Sequence, residues 1–157
     1  MRVSAKAIIV KDDAIVLIEY NDATGLHYNF PGGTVEEGES LDTALHRELL
    51  EEIEAQVRVE HLAFVYEYIP ELCNNRYGDK PGLSFLFQCQ LLENQVPKMP
   101  GNPDPHQTGV KWIPLKELGN IALLPNLGQR VREQKDPGTL SYIREHELAP
   151  YDFYPQS

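Results

Sequence analysis

Gly32–Val57, "GGTVEEGESLDTALHRELLEEIEAQV", begins in a glycine turn and ends in a run of glutamates, and its reading decides the fold. Leu41, Leu45, Leu49 and Ile53 recur every four residues and form one apolar stripe, so a helix is expected from a cap at Ser40 or Thr43 to about Ile53. On that helix Glu48, Glu51 and Glu52 stand at i, i+3 and i+4 and share a face. Unpaired, they repel at a cost of roughly 0.2–0.5 kcal/mol per adjacent pair. Two explanations compete. One is a solvated acidic face; the other is a divalent cation, since Mg2+ takes oxygen ligands from one or two carboxylates, waters and substrate phosphates. Arg47, four residues before Glu51, can orient one carboxylate. The Pro31-Gly32-Gly33 turn lets the backbone approach the helix, so a main-chain carbonyl can join the ligands, and this favours the cation.

Outward from the helix, "VSAKAIIVKDDAIVLIEY" reads as a hairpin, Val3 to Val10 and Ala14 to Tyr20, around Lys11-Asp12-Asp13. "NDATG" is a loop and "LHYNF" a short strand. "VRVEHLAFVYEYI" and "LSFLFQCQLLE" read as strands flanking the loop "PELCNNRYGDKPG". A Pro/Gly-rich loop leads to the strand "VKWIPL", and "LKELGN" and "NLGQRVREQK" look helical. Strands on both sides of one long helix indicate an α/β (α+β) domain with a mixed sheet covered by helices. At 157 residues the chain fits a single domain, 1–157, with an aromatic, proline-containing tail from about 136.

Composition narrows the partners. A net charge of −10, from 14 Lys+Arg against 24 Asp+Glu, leaves little material for a basic face, so no nucleic-acid partner is expected. A small anionic substrate remains compatible, because bound cations reverse the local field. No apolar run is long enough for a membrane span. Cys73 and Cys89 lack a CxxC context and read as free thiols, consistent with a cytoplasmic location. A homodimer is left open.

Gly33, five residues, Glu39, seven residues, Arg47-Glu48-Leu49, one residue, Glu51-Glu52 resembles the Nudix box. "NFPGG" and "VKWIPLKEL" resemble the family's entry to the box and its late strand and helix. The resemblance implies an α/β/α sandwich with a mixed, curved sheet and a pyrophosphohydrolase acting on a nucleoside diphosphate linked to another group. It implies a Mg2+ or Mn2+ cofactor on Glu48, Glu51, Glu52 and the Gly33 carbonyl, with Arg47, Glu48, Glu51 and Glu52 as the catalytic group and Glu39 acting through water or an outer metal. The alternative is a Nudix-fold nucleotide-binding or sensor module without turnover. One departure stands at the end of the box, where the family's glycine and aliphatic residue are replaced by Glu54 and Ala55. A left-handed glutamate costs about 1–2 kcal/mol, so the helix is expected to continue past Glu54.

The general base is open between Asp104, His106 and Gln107 in the loop before Trp112, and Glu67 in "VYEYI". Tyr20, Tyr28 and Phe30 are candidate aromatic contacts, of which Tyr28 is carried forward with Arg76 and Lys80 for the sugar or terminal phosphate. Family members acting on ADP-ribose carry a proline about fifteen residues past the box, and Pro70 falls there counting from Ala55. That tilts the expected substrate toward ADP-ribose-like compounds or nucleotide sugars over nucleoside triphosphates.

Overall fold

The computed structural model describes residues 1–134 and 139–149. Nine strands and two α-helices are present among them: β1 (Arg2–Lys11), β2 (Ala14–Asp22), β3 (Gly25–Asn29), β4 (Gly32–Thr34), α1 (Leu41–Ile53), β5 (Val57–Tyr68), β6 (Gly82–Leu91), β7 (Gln107–Pro114), β8 (Leu123–Leu124), α2 (Gly128–Glu133) and β9 (Ser141–Arg144). The hairpin turn is Asp12-Asp13, both at positive φ, which matches the twist of the flanking strands. "NDATG" is tighter than a five-residue loop. β2 runs to Asp22, whose carboxylate accepts from the Thr24 backbone N–H at 2.8 Å and closes the turn. "LKELGN" forms a 3₁₀ turn rather than an α-helix. No described helix is long and apolar enough to cross a membrane.

β1 is the hinge of the architecture. One edge pairs in parallel with β6 from Arg2 to Ile9. The other is shared, with β4 opposite Ser4–Lys6 and β2 opposite Val10–Lys11, both antiparallel. The sheet order is β8-β3-β2-β1-β6-β5-β9, with β4 on β1 and β7 on β2. Side chains alternate along β1 and serve two cores. Ala5, Ala7 and Ile9 pack with Leu45, Leu49 and Ile53 of α1, while Ile8 joins Phe64, Leu86, Leu118 and Leu127 on the opposite face. The result is a mixed sheet with helical cover on both faces. Part of the tail enters it, since β9 adds to β5 in parallel, Phe64–Glu67 against Ser141–Arg144. Residues 135–138 and 150–157 of the tail lie outside the described residues.

α1 starts where Ser40 Oγ accepts from the Thr43 N–H at 3.0 Å. Its end corrects the sequence reading. The helix does not run past Glu54, which takes the left-handed conformation, φ 49° and ψ 40°. Ala55 and Val57 are buried with Ile53, so the chain must reverse at once to put β5 into the same core. The helix's last carbonyls are satisfied from outside, Ile53 by the Lys98 N–H at 2.9 Å and Glu52 by the Gln107 amide at 3.2 Å. Tertiary packing overrides the local preference. Glu54→Gly is therefore expected to raise the urea midpoint by about 0.5–1 kcal/mol of stability, strain relief less glycine's added freedom in the unfolded chain. The Lys98–Glu54 pair lost with it, at 3.6 Å on the surface, contributes little. A lower midpoint in the mutant would show that the turn is not strained.

Candidate active site

The box folds around Arg47. Its Nε and Nη2 donate to the two oxygens of Glu39 at 2.7 and 2.9 Å, Nη2 also reaches the Thr34 carbonyl at 3.1 Å, and Nη1 donates to Glu48 at 3.0 Å. Glu51 lies at the rim, 3.4 Å from the same Nη1 and largely exposed. One guanidinium thus ties β4, the loop before α1 and two of the three helix carboxylates together. Glu39 is consumed by this brace. Hydrogen bonds from Arg47, then from the Glu36 N–H, hold its carboxyl down to about 2 from an ordinary 4.5. A carboxyl depressed in the folded state stabilises fully above its unfolded value and loses that contribution as pH falls. The stability gap between wild type and Glu39→Gln is accordingly expected to be full above pH 4.5 and to shrink as pH falls toward 2. A gap that stays constant over that range in urea melts would remove Glu39 from the brace.

Glu48 and Glu52 face the glycine turn. A Cβ built on Gly33 would stand 2.5 Å from the Glu48 carboxyl, so only glycine leaves that carboxylate its place. Glu52 is only 6% exposed, an unusual position for a carboxylate. Burial pushes it above its ordinary range, with Glu48 and Asp104 adding to the rise, while the Lys6 ammonium and a hydrogen bond from the Gly32 backbone oppose it. Lys6 is displaced downward, first by burial, with Glu52 pulling the other way. Its Nζ donates to the Gly32 carbonyl at 3.4 Å. Tyr20 stacks on His27 at 5.7 Å and is raised by burial, then by Glu52 and Asp104.

The donor set of carboxylates and a carbonyl has the hard-oxygen chemistry of Mg2+ or Mn2+, and the missing Cβ of Gly33 lets the Glu48 carboxylate lie against that backbone. Among the described residues no three His, Cys, Asp or Glu side chains are already gathered as metal ligands. Arg47 Nη1 engages Glu48 and Glu51, so a cation would compete with that guanidinium for their oxygens.

Of the general-base candidates, Asp104 acts electrostatically on Glu52. Gln107 is buried and braces the helix end, with its Oε1 left without a partner. His106 stands exposed at positive φ, its carbonyl accepting from the Asn21 N–H at 3.0 Å. Glu67 accepts from the Tyr142 hydroxyl and does not line the cavity beside Lys6.

A cavity of about 350 Å3 opens beside Lys6, within the size range of ligand pockets. Tyr77, Asn29, Leu124 and Pro125 line it, with the buried Tyr66 and Tyr68 behind. Arg2, Lys6 and Lys80 line it against a single acid, Asp79, an inversion of charge in a chain with a net −10. Lys80 is thus where the sequence suggested. Arg76 lies over the Tyr77 ring at 5.7 Å. Tyr28 is not brought to this cavity, because it alternates with Asn29 on β3 and its hydroxyl donates to Glu19 at 3.0 Å. Phe30 is core. Sequence reasoning missed Lys6, which stands between Ala5 and Ala7 on β1 and shares that strand with Arg2 and Lys11. It also missed Tyr66 and Tyr68, whose i, i+2 spacing in "VYEYI" places both on one face.

The NUDIX domain family model matches residues 1–134. Among solved structures, a NUDIX hydrolase from Nitrosomonas europaea is 25% identical and aligns over 83% of this chain and 86% of its own, with a TM-score of 0.66. A MutT protein from Bacillus halodurans is 18% identical over 85% and 81%, TM-score 0.64. An ADP-ribose pyrophosphatase from Streptococcus suis is 17% identical over 90% and 98%, TM-score 0.62. The last two bear on the fold alone. No curated protein matches the sequence at a significant level.

Proposed function

The chain belongs to the Nudix family of pyrophosphohydrolases, and from that premise we propose that it hydrolyses the diphosphate bond of a nucleoside diphosphate joined to a second group, with Mg2+ or Mn2+ as cofactor. The observation that carries the reading is the meeting of Glu48 and Glu52 with the Gly32–Gly33 turn, directly beside the Lys6 side of a cation-lined cavity. Glu48 and Glu52 would hold the cation with the Gly33 carbonyl, and Glu51 would add a carboxylate from the rim. When bound, a divalent cation neutralises charge on the diphosphate and lowers the pKa of a water.

The protein's own groups then divide the remaining work. Arg47 is a positioning residue that holds α1 against β4. Lys6, placed between Glu52 and the cavity, offers an ammonium to a phosphate oxygen as charge develops there. Asp104 is the base candidate best placed to take the proton of the attacking water. That water adds to one phosphorus, the bridging P–O bond breaks, and two phosphate monoesters leave. Both products carry terminal phosphate. The substrate reading favours ADP-ribose-like compounds and nucleotide sugars, on the spacing of Pro70 and on a cavity roomy enough for more than a phosphate chain.

A hydrolysis screen tests this. ADP-ribose, UDP-glucose, diadenosine tetraphosphate and ATP are each incubated with enzyme and Mg2+ or Mn2+, and phosphate released by a phosphatase added afterwards is measured. Turnover of a linked diphosphate in either metal, lost in EDTA, is the expected result. No turnover of any of the four in either metal would sink the hydrolase reading, and nucleotide binding without turnover would favour the sensor module.

A further inference from the structure

The chain between β6 and β7 is stapled to the end of α1, and it carries Asp104. With Glu54 in place of a glycine stop, the last carbonyls of the helix need partners from elsewhere, and this loop supplies them. The Lys98 N–H donates to the Ile53 carbonyl at 2.9 Å, and the Gln95 side chain accepts from the Gln56 N–H at 3.0 Å. The last staple is the Gln107 side chain. Its Nε2 donates to the Glu52 carbonyl at 3.2 Å and to Met99 Sδ at 3.5 Å.

Gln107 also closes the turn that holds Asp104. Its N–H donates to the Asp104 carbonyl at 3.1 Å, and the His106 carbonyl accepts from the Asn21 N–H of β2 at 3.0 Å. Pro103 and Pro105 flank Asp104, so the backbone between them has few conformations open to it. Where the turn is fixed, Asp104 is fixed. Its carboxylate acts on Glu52, Lys6 and Tyr20 together, which sets it on the side of the candidate metal site. One residue is thus bonded through its side chain to Glu52 and through its backbone to Asp104.

Packing alone does not ask for an amide here. Gln107 is 7% exposed, and its Oε1 is buried with no hydrogen-bond partner among the described residues. A methionine would fill a similar volume without desolvating that oxygen. What it would lose is the donor that ties the turn to Glu52.

We propose that Gln107 is a positioning residue of the active site, tying the Asp104 turn to the Glu52 carbonyl and so setting the base against the metal-binding carboxylates. The proposal rests on the hydrolase reading with Asp104 as base, and it assigns the anchoring of this loop to the proton-transfer step of that reaction.

The test is a double-mutant cycle on Gln107→Met and Asp104→Asn, using whichever of ADP-ribose, UDP-glucose, diadenosine tetraphosphate and ATP the wild type cleaves fastest. Urea melts establish that each variant is folded. Asp104→Asn should lower kcat by about a hundredfold. Gln107→Met should lower kcat by about tenfold, with KM changed less than about threefold. In the Asp104→Asn background the same substitution should lower kcat less than about twofold, because the group it positions is already gone. A purely structural role would not vanish in this way. Calorimetric titration should show Mn2+ binding to Gln107→Met within about threefold of wild type.

Additive losses in the cycle would overturn the proposal, as would near wild-type kcat in either folded single variant. Mn2+ binding weakened tenfold in Gln107→Met would do so too, since Gln107 would then act through Glu52 and the cation. If Gln107→Met does not fold, the same cycle and titration on Gln107→Asn decide, because that side chain keeps a donor but is one methylene too short to hold the turn to Glu52. A wild type that cleaves none of the four compounds sinks the hydrolase reading and this proposal with it, whereas an active wild type with an additive cycle sinks this proposal alone.

Discussion

Replacing Glu52 by glutamine is expected to lower kcat by at least about a hundredfold, the scale on which removing a preorganised electrostatic group acts. The substitution keeps the shape of a side chain that is 6% exposed and removes its charge, so the fold should survive. In the metal-free protein stability should hold or rise. Burial raises this carboxyl, and a group raised in the folded state is stabilising when protonated and opposes folding as pH climbs past its unfolded value. At neutral pH glutamine removes that opposition, though it leaves Lys6 without its carboxylate partner, and the two effects work against each other. Loss of turnover without loss of stability separates a functional carboxylate from a structural one. Near wild-type turnover in saturating Mg2+ would show that Glu52 is not part of the metal centre.

Gly32→Ala and Gly33→Ala, one residue apart, should fail in different ways. At Gly32 φ is +135°, and a Cβ would lie 2.2 Å from the Ala5 carbonyl oxygen and 2.7 Å from the Lys6 Cα. Both obstacles are backbone of β1, paired to β4 at this register, and cannot move independently. A cost of at least about 3 kcal/mol follows from overpacking against backbone in a disfavoured conformation. At Gly33 the obstacle is the Glu48 carboxylate, the end of a flexible side chain. Alanine there should leave the fold largely intact and displace Glu48, with turnover down at least about tenfold. Urea melts and steady-state rates on both variants read this out. Equal stability loss at the two positions would show that Glu48 is held as rigidly as the backbone.

Periodicity carried much of the architecture into the sequence. The four-residue spacing of Leu41, Leu45, Leu49 and Ile53, with Ser40 before it, marks α1 from Leu41 to Ile53. β-branched and apolar runs mark β1, β2, β5 and β6. What escaped was made by tertiary pairing. β4 and β8 are three and two residues long, too short to hold a pattern, and exist because β1 and β3 offer them an edge. β9 lies in a tail whose aromatic and proline content gives no periodic signal. A left-handed Glu54 is locally unfavourable, which points to a longer helix, but burial of Ala55 and Val57 turns the chain there. Lys6 looks like any strand lysine until β4 folds against β1 and brings Glu52 to it. Glu145 accepts from the Tyr66 hydroxyl, 79 residues away in sequence, only because β9 lies beside β5.

Calorimetric titration of Mn2+ into the wild type, Glu48→Gln and Glu52→Gln tests the account at its centre, because it asks whether the helix carboxylates hold a cation without assuming a substrate. Wild type is predicted to bind Mn2+ saturably, and each substitution to weaken that binding by at least about tenfold, as expected when one carboxylate ligand is lost. Wild type without measurable Mn2+ binding at millimolar concentration, or binding that survives both substitutions unchanged, would contradict it.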